Sequence, residues 1–206
     1  MTPFRTLAVL FACIACAGVV RAQEKFEPKT LDIGAAAPDF KLKGVDDRDY
    51  TLASFKDAKV LAVVFTTNHC PTANAYEQRM IDLHKDYAAK GVAVVAINPN
   101  DPTRQPKDSV EHMHGRVAAG ELGDVPYLHD ETQEVARSYA AKTTPDVFVL
   151  DGAGVLRYRG ALDAAYDDEA QNAAWVRSAL DAILAGRDPD PAETAPVGCS
   201  VKWRAS

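Results

Sequence analysis

The chain predicts an α/β fold: a central mixed β-sheet flanked by helices, with an N-terminal β-hairpin and a Pro-rich C-terminal tail. Three observations carry this. First, residues 60–65 and 92–97 are uninterrupted apolar runs rich in β-branched residues, the pattern of strands buried on both faces. Second, Ala73, Tyr76, Met80, Leu83 and Tyr87 recur between them at helical spacing and stop at Gly91, which makes one β-α-β unit with parallel strands. Third, Asp146 to Leu150, a Gly152-Ala153-Gly154 turn and Val155 to Arg159 read as a β-hairpin. With 206 residues, 47% hydrophobic and 25% charged, the chain holds enough apolar surface for one core and too little charge bias for disorder.

Taken in order, residues 1–22 form a signal peptide: Arg5 precedes an apolar run from Leu7 to Val20, and Val20-Arg21-Ala22 supplies small residues at a cleavage site. Such a chain is expected in the periplasm or secreted, without membrane insertion after cleavage. Cys13 and Cys16 lie in the apolar run, but Phe11 and Ile14 are poor neighbours for a lipid-anchoring cysteine. Residues 23–32 form a leader, residues 33–186 the single domain, and residues 187–206 a tail. Within the domain, Pro38 to Leu42 and Tyr50 to Leu52 alternate as two short strands around a turn. Residues 98–107 form a loop rich in Pro and Asp, and helices are expected over residues 109–119, 132–139 and about 169–185. The acidic residues Asp163, Asp167, Asp168 and Glu169 are expected to be the solvated start of that last helix.

Two cysteines survive signal removal, Cys70 and Cys199. They are too few for the disulfide framework of a small secreted scaffold, so they either form one long-range bridge or do chemistry. The strand ending at Phe65 leads into Thr66-Thr67-Asn68-His69-Cys70-Pro71, with a helix capped by Thr67 or Asn68. Cys70 then falls in the first helical turn, where unpaired N–H groups and the positive end of the helix dipole favour a thiolate. Protonated His69 would add to that. The alternative is a small buried hydrophobe, but ligands of open α/β sheets bind at the carboxyl ends of core strands.

At these residues the sequence resembles the thioredoxin-like superfamily, in its redoxin branch, the alkyl hydroperoxide reductase/thiol-specific antioxidant family. The resemblance spans Ile33 to Leu184. It rests on Gly34-Ala35-Ala36-Ala37-Pro38-Asp39-Phe40, the strand–Thr67-x-x-Cys70–helix junction, and Thr144-Pro145-Asp146-Val147-Phe148-Val149-Leu150-Asp151 with the hairpin after it. It implies a thioredoxin fold and a redox role for Cys70. Thr67 stands where thioredoxin-type reductases carry a first cysteine, so T-x-x-C replaces C-x-x-C and a dithiol cycle inside the motif is excluded. In the peroxiredoxin pattern Cys70 would be the peroxidatic cysteine and Thr67 its hydroxyl partner. Val63 replaces that pattern's proline, and Pro145 lies where it usually carries an arginine. Pro145 instead resembles the cis-proline facing the active cysteine of thioredoxins, with Thr144 placed to pair with an extended thiol substrate; an ordinary trans proline opening a strand is the alternative.

Cys199 has two readings. It is a resolving thiol that condenses with oxidised Cys70, reached through the Pro-rich approach from Gly186, or it is structural, as a permanent bridge or a free thiol with Trp203 anchoring the tail. The expected partners are a thiol or peroxide substrate and an external thiol reductant, with no cofactor and no metal. The rival is a binding module or metal chaperone that kept the fold without catalysis. His84, His112, His114 and His129 are expected to be solvated or capping side chains. A formal net charge of -6 argues against nucleic acid as a partner.

Overall fold

The computed structural model describes Met1, residues 30–168 and residues 170–205. Apart from Met1, the signal peptide expected over residues 1–22 lies outside the described residues, as do the expected leader up to residue 29 and Glu169. No helix among the described residues is long and apolar enough to cross a membrane.

Strand β1 (Lys41–Gly44) turns back into β2 (Asp49–Thr51) as an antiparallel hairpin. The two apolar runs form β3 (Val60–Phe65) and β4 (Val92–Asn98), paired in parallel and joined by α1 (Pro71–Ala88). Helix α2 (Val110–Ala118) follows, capped by the Ser109 side chain, then β5 (Tyr127–His129) and α3 (Glu134–Ser138). Next come the two-residue β6 (Thr143–Thr144), β7 (Asp146–Asp151) and β8 (Leu156–Gly160) as an antiparallel hairpin, α4 (Ala174–Leu184) and β9 (Cys199–Ser200). The main sheet has seven strands in the order β2-β1-β5-β4-β3-β7-β8, and β6 pairs with β9 in a separate ribbon. The sheet is mixed because β3 pairs in parallel with β4 and antiparallel with β7.

Alternation along β3 divides the core. Ala62 and Val64 face Tyr76, Met80 and Leu83 of α1 and Val176, Ala179 and Leu180 of α4, while Leu61, Val63 and Phe65 face Val135 and Ala136 of α3, with Phe40 and Leu42. Burying each such large side chain contributes about 1.5–3 kcal/mol. On the second face Phe65, Tyr139 and Phe148 meet edge to face with ring centres 5.4–5.7 Å apart. The layers hold β3 rigid, so the loop leaving its carboxyl end starts from a fixed point.

The structure corrects several expectations. The last helix begins at Ala174 rather than near residue 169. Asp163 is not solvated: it is buried, pairs with Arg79 Nη1 at 2.7 Å and accepts from the Tyr76 hydroxyl and the Ala173 N–H. The Arg79 guanidinium also donates to the carbonyls of Ala165, Tyr166 and Asp168, so it ties this acidic loop to α1. The third expected helix shrinks to Glu134–Ser138, and β5, unforeseen, fills the gap between β1 and β4. Helix α1 is capped by neither Thr67 nor Asn68. Its N-cap is Cys70 itself, with φ -80 and ψ 120, because Pro71 occupies the first helical position and drives the residue before it into extended backbone.

The tail is docked along its length. Arg159 N–H donates to the Ala192 carbonyl at 3.1 Å and Thr194 N–H to the Arg159 carbonyl at 3.0 Å, which runs residues 192–194 beside β8 at the sheet border. The Thr194 hydroxyl accepts from Ala161 N–H and sits 2.8 Å from the Tyr158 hydroxyl. Beyond β9, Val201 is buried and the Arg137 guanidinium lies over the Trp203 ring at 4.4 Å.

Candidate active site

Cys70 stands one residue ahead of α1, at the carboxyl end of the central strand, and is fully buried. Its lid is the tail. Register pairs Thr144 with Cys199 and Thr143 with Ser200, and this ribbon brings the Cys199 sulfur to 2.6 Å from the Cys70 sulfur, both as free thiols. The Thr144–Pro145 peptide is cis, and the Thr144 hydroxyl donates to the Cys199 carbonyl at 3.4 Å. Residues 129 positions apart therefore meet at the N-terminus of α1.

The two sulfurs differ in proton affinity. Burial pushes the Cys70 thiol up, but the Cys199 thiol and the backbone N–H groups of Ala73, Cys199 and Thr72 outweigh it and leave Cys70 below the ordinary thiol value. The sulfur makes no capping hydrogen bond of regular geometry, so the first-turn amides act on it as oriented dipoles. Burial, the hydrogen bond to Cys70 and the charge on Cys70 push Cys199 up to about 11, against a small opposing effect of Lys202. Of the two thiols, Cys70 is therefore the one shifted toward the thiolate and Cys199 the one shifted toward the thiol.

The loop before Cys70 rests on a carboxylate that the sequence did not single out. Asp108, wholly buried, accepts from Asn68 N–H at 2.6 Å, Asn100 Nδ2 at 2.9 Å and Asn98 Nδ2 at 3.2 Å. The Thr67 hydroxyl lies 2.7 Å from both of its oxygens and donates to it, while accepting from Asn100 Nδ2 at 2.9 Å. His69 Nδ1 is 2.7 Å from Asp108 Oδ2, a contact that selects the Nδ1–H tautomer. Burial alone would raise the Asp108 pKa; the donors from Thr67, Asn100, Asn68 and His69 bring it below the usual carboxylate value instead. The neighbouring Asn68 amide oxygen accepts from the Tyr127 hydroxyl at 2.8 Å and from Arg116 at 3.2 Å.

Of the residues singled out by sequence, the structure brings Cys70, Cys199, Thr144 and Pro145 together. Thr67 and His69 lie in the same loop, but their polar atoms turn to Asp108, and the hydrogen bonds of the Thr67 hydroxyl do not include one to Cys70. The residues not foreseen are Asp108, Asn98, Asn100 and Tyr127. Their one sequence signal was Asn98-Pro99-Asn100-Asp101 at the carboxyl end of an apolar run, where polar residues of an α/β sheet collect.

Known proteins share this architecture. The chain is similar to a hypothetical protein of Sinorhizobium meliloti 1021, with 37% identity and TM-score 0.80 over 86% of this chain and 98% of that one. It is also similar to an uncharacterized conserved protein of Geobacillus kaustophilus, with 38% identity and TM-score 0.81 over 86% and 95%. Among curated proteins it resembles the thiol-disulfide oxidoreductase ResA of Oceanobacillus iheyensis, 30% identical over 77% of this chain and 81% of that protein. The model of the AhpC/TSA family matches residues 33–159, from the entry segment into β8, so the chain belongs to the AhpC/TSA family of thioredoxin-fold redox proteins.

Proposed function

We propose that this protein is an exported thiol-disulfide oxidoreductase whose two working cysteines are Cys70, at the helix start, and Cys199, supplied by the C-terminal tail. The observation that carries it is the 2.6 Å approach of the two sulfurs on the edge formed by Thr143 and Thr144. The lowered pKa of Cys70 and the raised pKa of Cys199 support a division of labour between attacking and resolving thiol. Similarity to the thiol-disulfide oxidoreductase ResA supports the same reaction class. Export is read from residues 1–22.

The reaction follows from these positions. The Cys70 thiolate attacks one sulfur of a substrate disulfide, forms a mixed disulfide and expels the other sulfur as a thiolate. Cys199, deprotonated as that leaving group takes up its proton, then attacks the Cys70 sulfur and expels the second substrate thiol. The protein dithiol has lost two electrons and become a 70–199 disulfide, the substrate has gained them, and an external thiol reductant restores the pair. Substrate access requires β9 to lift from Thr144, since Cys70 is otherwise covered. The edge that β9 leaves is then free to pair with an extended substrate segment.

Peroxide is the weaker oxidant in this reading, because the Thr67 hydroxyl is committed to Asp108 and Pro145 occupies the corner beside Cys199. Non-reducing peptide mapping tests the proposal. After treatment of the reduced full-length protein with oxidised glutathione, a 70–199 linkage is expected in wild type, a glutathione adduct on Cys70 in Cys199→Ser, and neither in Cys70→Ser. A linkage that resists thiol reductants in the folded protein would make the pair a structural staple. Faster oxidation by hydrogen peroxide than by disulfides would place the protein with the peroxidases.

A further inference from the structure

We infer that Asn100 and Gly198 are positioning residues that hold Cys199 in register over Cys70, one on each side of the tail cysteine. This rests on the reading of Cys70 and Cys199 as a redox pair. The side-chain amide of Asn100, buried, joins the two segments that carry the sulfurs. Its Nδ2 donates to the Thr67 hydroxyl and to Asp108, both at 2.9 Å, and so grips the loop that ends in Cys70. Its Oδ1 accepts from Lys202 N–H at 2.7 Å and so grips the tail just past Cys199. Thr67 is three residues before Cys70, and Lys202 three residues after Cys199. One planar group thus sets the spacing of both arms. The Lys202 carbonyl is held in turn by Asp101 N–H at 3.0 Å and Gln133 Nε2 at 2.9 Å, so this stretch of tail has no slack.

Gly198 works on the other side by lying flat. A Cβ at this position would collide with the Thr144 carbonyl oxygen and carbon and reach 3.0 Å from Pro145 N, all backbone atoms that cannot swing aside. Only a residue without a side chain lets the tail come this near the Thr144–Pro145 corner, and Cys199 is the next residue. Asn100 holds by hydrogen bonding and Gly198 by shape, so the two can be removed independently.

The measurement is the equilibrium of the full-length protein with reduced and oxidised glutathione, in which the protein dithiol and oxidised glutathione give the protein disulfide and two reduced glutathiones. It reports the effective concentration of Cys199 at Cys70, which a merely fold-supporting residue does not change. Asn100→Ala is expected to lower the equilibrium constant by about tenfold, the worth of one well-made buried hydrogen bond, and Gly198→Ala, whose added Cβ meets fixed backbone, by at least about as much. Alkylation of Cys70 by iodoacetamide in the reduced protein should become faster in both, because a loosened tail uncovers it. Gly198→Ala touches none of the Asp108 donors, so it tests the inference even where Asn100→Ala folds poorly. Constants within a factor of about two of wild type in both variants overturn the inference while the redox pair stands. A shift in Gly198→Ala alone removes Asn100 from the role. Failure of wild type itself to form the 70–199 bond overturns the underlying reading, a result visible before any variant is made.

Discussion

Asp108, against the loop before Cys70, and Asp146, two residues past Thr144, are both buried, yet their carboxyls behave oppositely. Asp108 underlies the loop before Cys70 and gathers donors from Thr67, Asn68, Asn98, Asn100 and His69, which hold its pKa below the usual range. Asp146 follows Pro145 on the side of the tail, accepts from Lys142 N–H at 3.0 Å, and burial pushes it up to about 7 against weak opposition from Lys142, Arg159 and Thr143. Asp146 carries the heavier burial cost and the fewer donors, so its carboxyl is the one pushed up to about 7, while Asp108 stays below the usual range. Donors weighed against depth decide the charge of a buried carboxyl. The loop that ends in Cys70 is therefore braced by a buried carboxylate, whereas the corner that receives the tail is not.

Removing that carboxylate is the largest way to break this contrast. Asp108→Ala removes the buried acceptor shared by Thr67, the Asn68 N–H, Asn98, Asn100 and His69, and is expected to cost about 3–5 kcal/mol in urea unfolding. A loss under about 1 kcal/mol would mean the cluster is not a structural centre. In wild type the Asp108 contribution is present above the ordinary carboxylate pKa and is lost as pH falls through its lower folded value.

Asp146 has the opposite sign. Its folded pKa lies above its unfolded value, so stability is undiminished below the ordinary value of 3.8 and declines as pH rises toward about 7, where the folded carboxyl also ionises. Asp146→Asn should flatten that decline and stabilise the protein at pH 8 by roughly 2–4 kcal/mol. A parallel stability–pH curve in wild type and variant would contradict it.

Smaller changes sharpen the comparison. Thr67→Val deletes one donor to Asp108 and should cost about 1–2 kcal/mol, where an equal loss in an Asp108→Asn background would show that the two do not interact. Cys199→Ala is expected to move the alkylation–pH midpoint of Cys70 upward, since the hydrogen bond from the Cys199 thiol is the foremost effect opposing burial there. A midpoint that stays or falls would leave the helix amides as the main cause of activation.

The sequence made β3, β4, the β7–β8 hairpin and α1 legible because each is a periodic or continuous pattern within one segment. Cys70 was legible for the same reason, as a thiol at a strand-to-helix junction. The Asp108 cluster was not, because its members come from separate loops and only the folded sheet brings them together. Strand β5 has three residues, too few to show alternation. The start of α4 was misplaced because Asp163 looks like a solvated acidic residue until Arg79, far away in sequence, is found beside it. Docking of Cys199 depends on Gly198 and on amide contacts with Asn100, which leave no periodic trace.

Strand β8 is the last rung of the main sheet, and what shields its outer flank is residues 192–194 of the same tail that delivers Cys199. A chain cut after Arg187 would keep Cys70 but bare an open row of amides and carbonyls, the template on which a second copy can stack and precipitate. Solubility and redox chemistry are thus bound to one stretch of polypeptide, and a point change at Cys199, unlike a truncation, separates them.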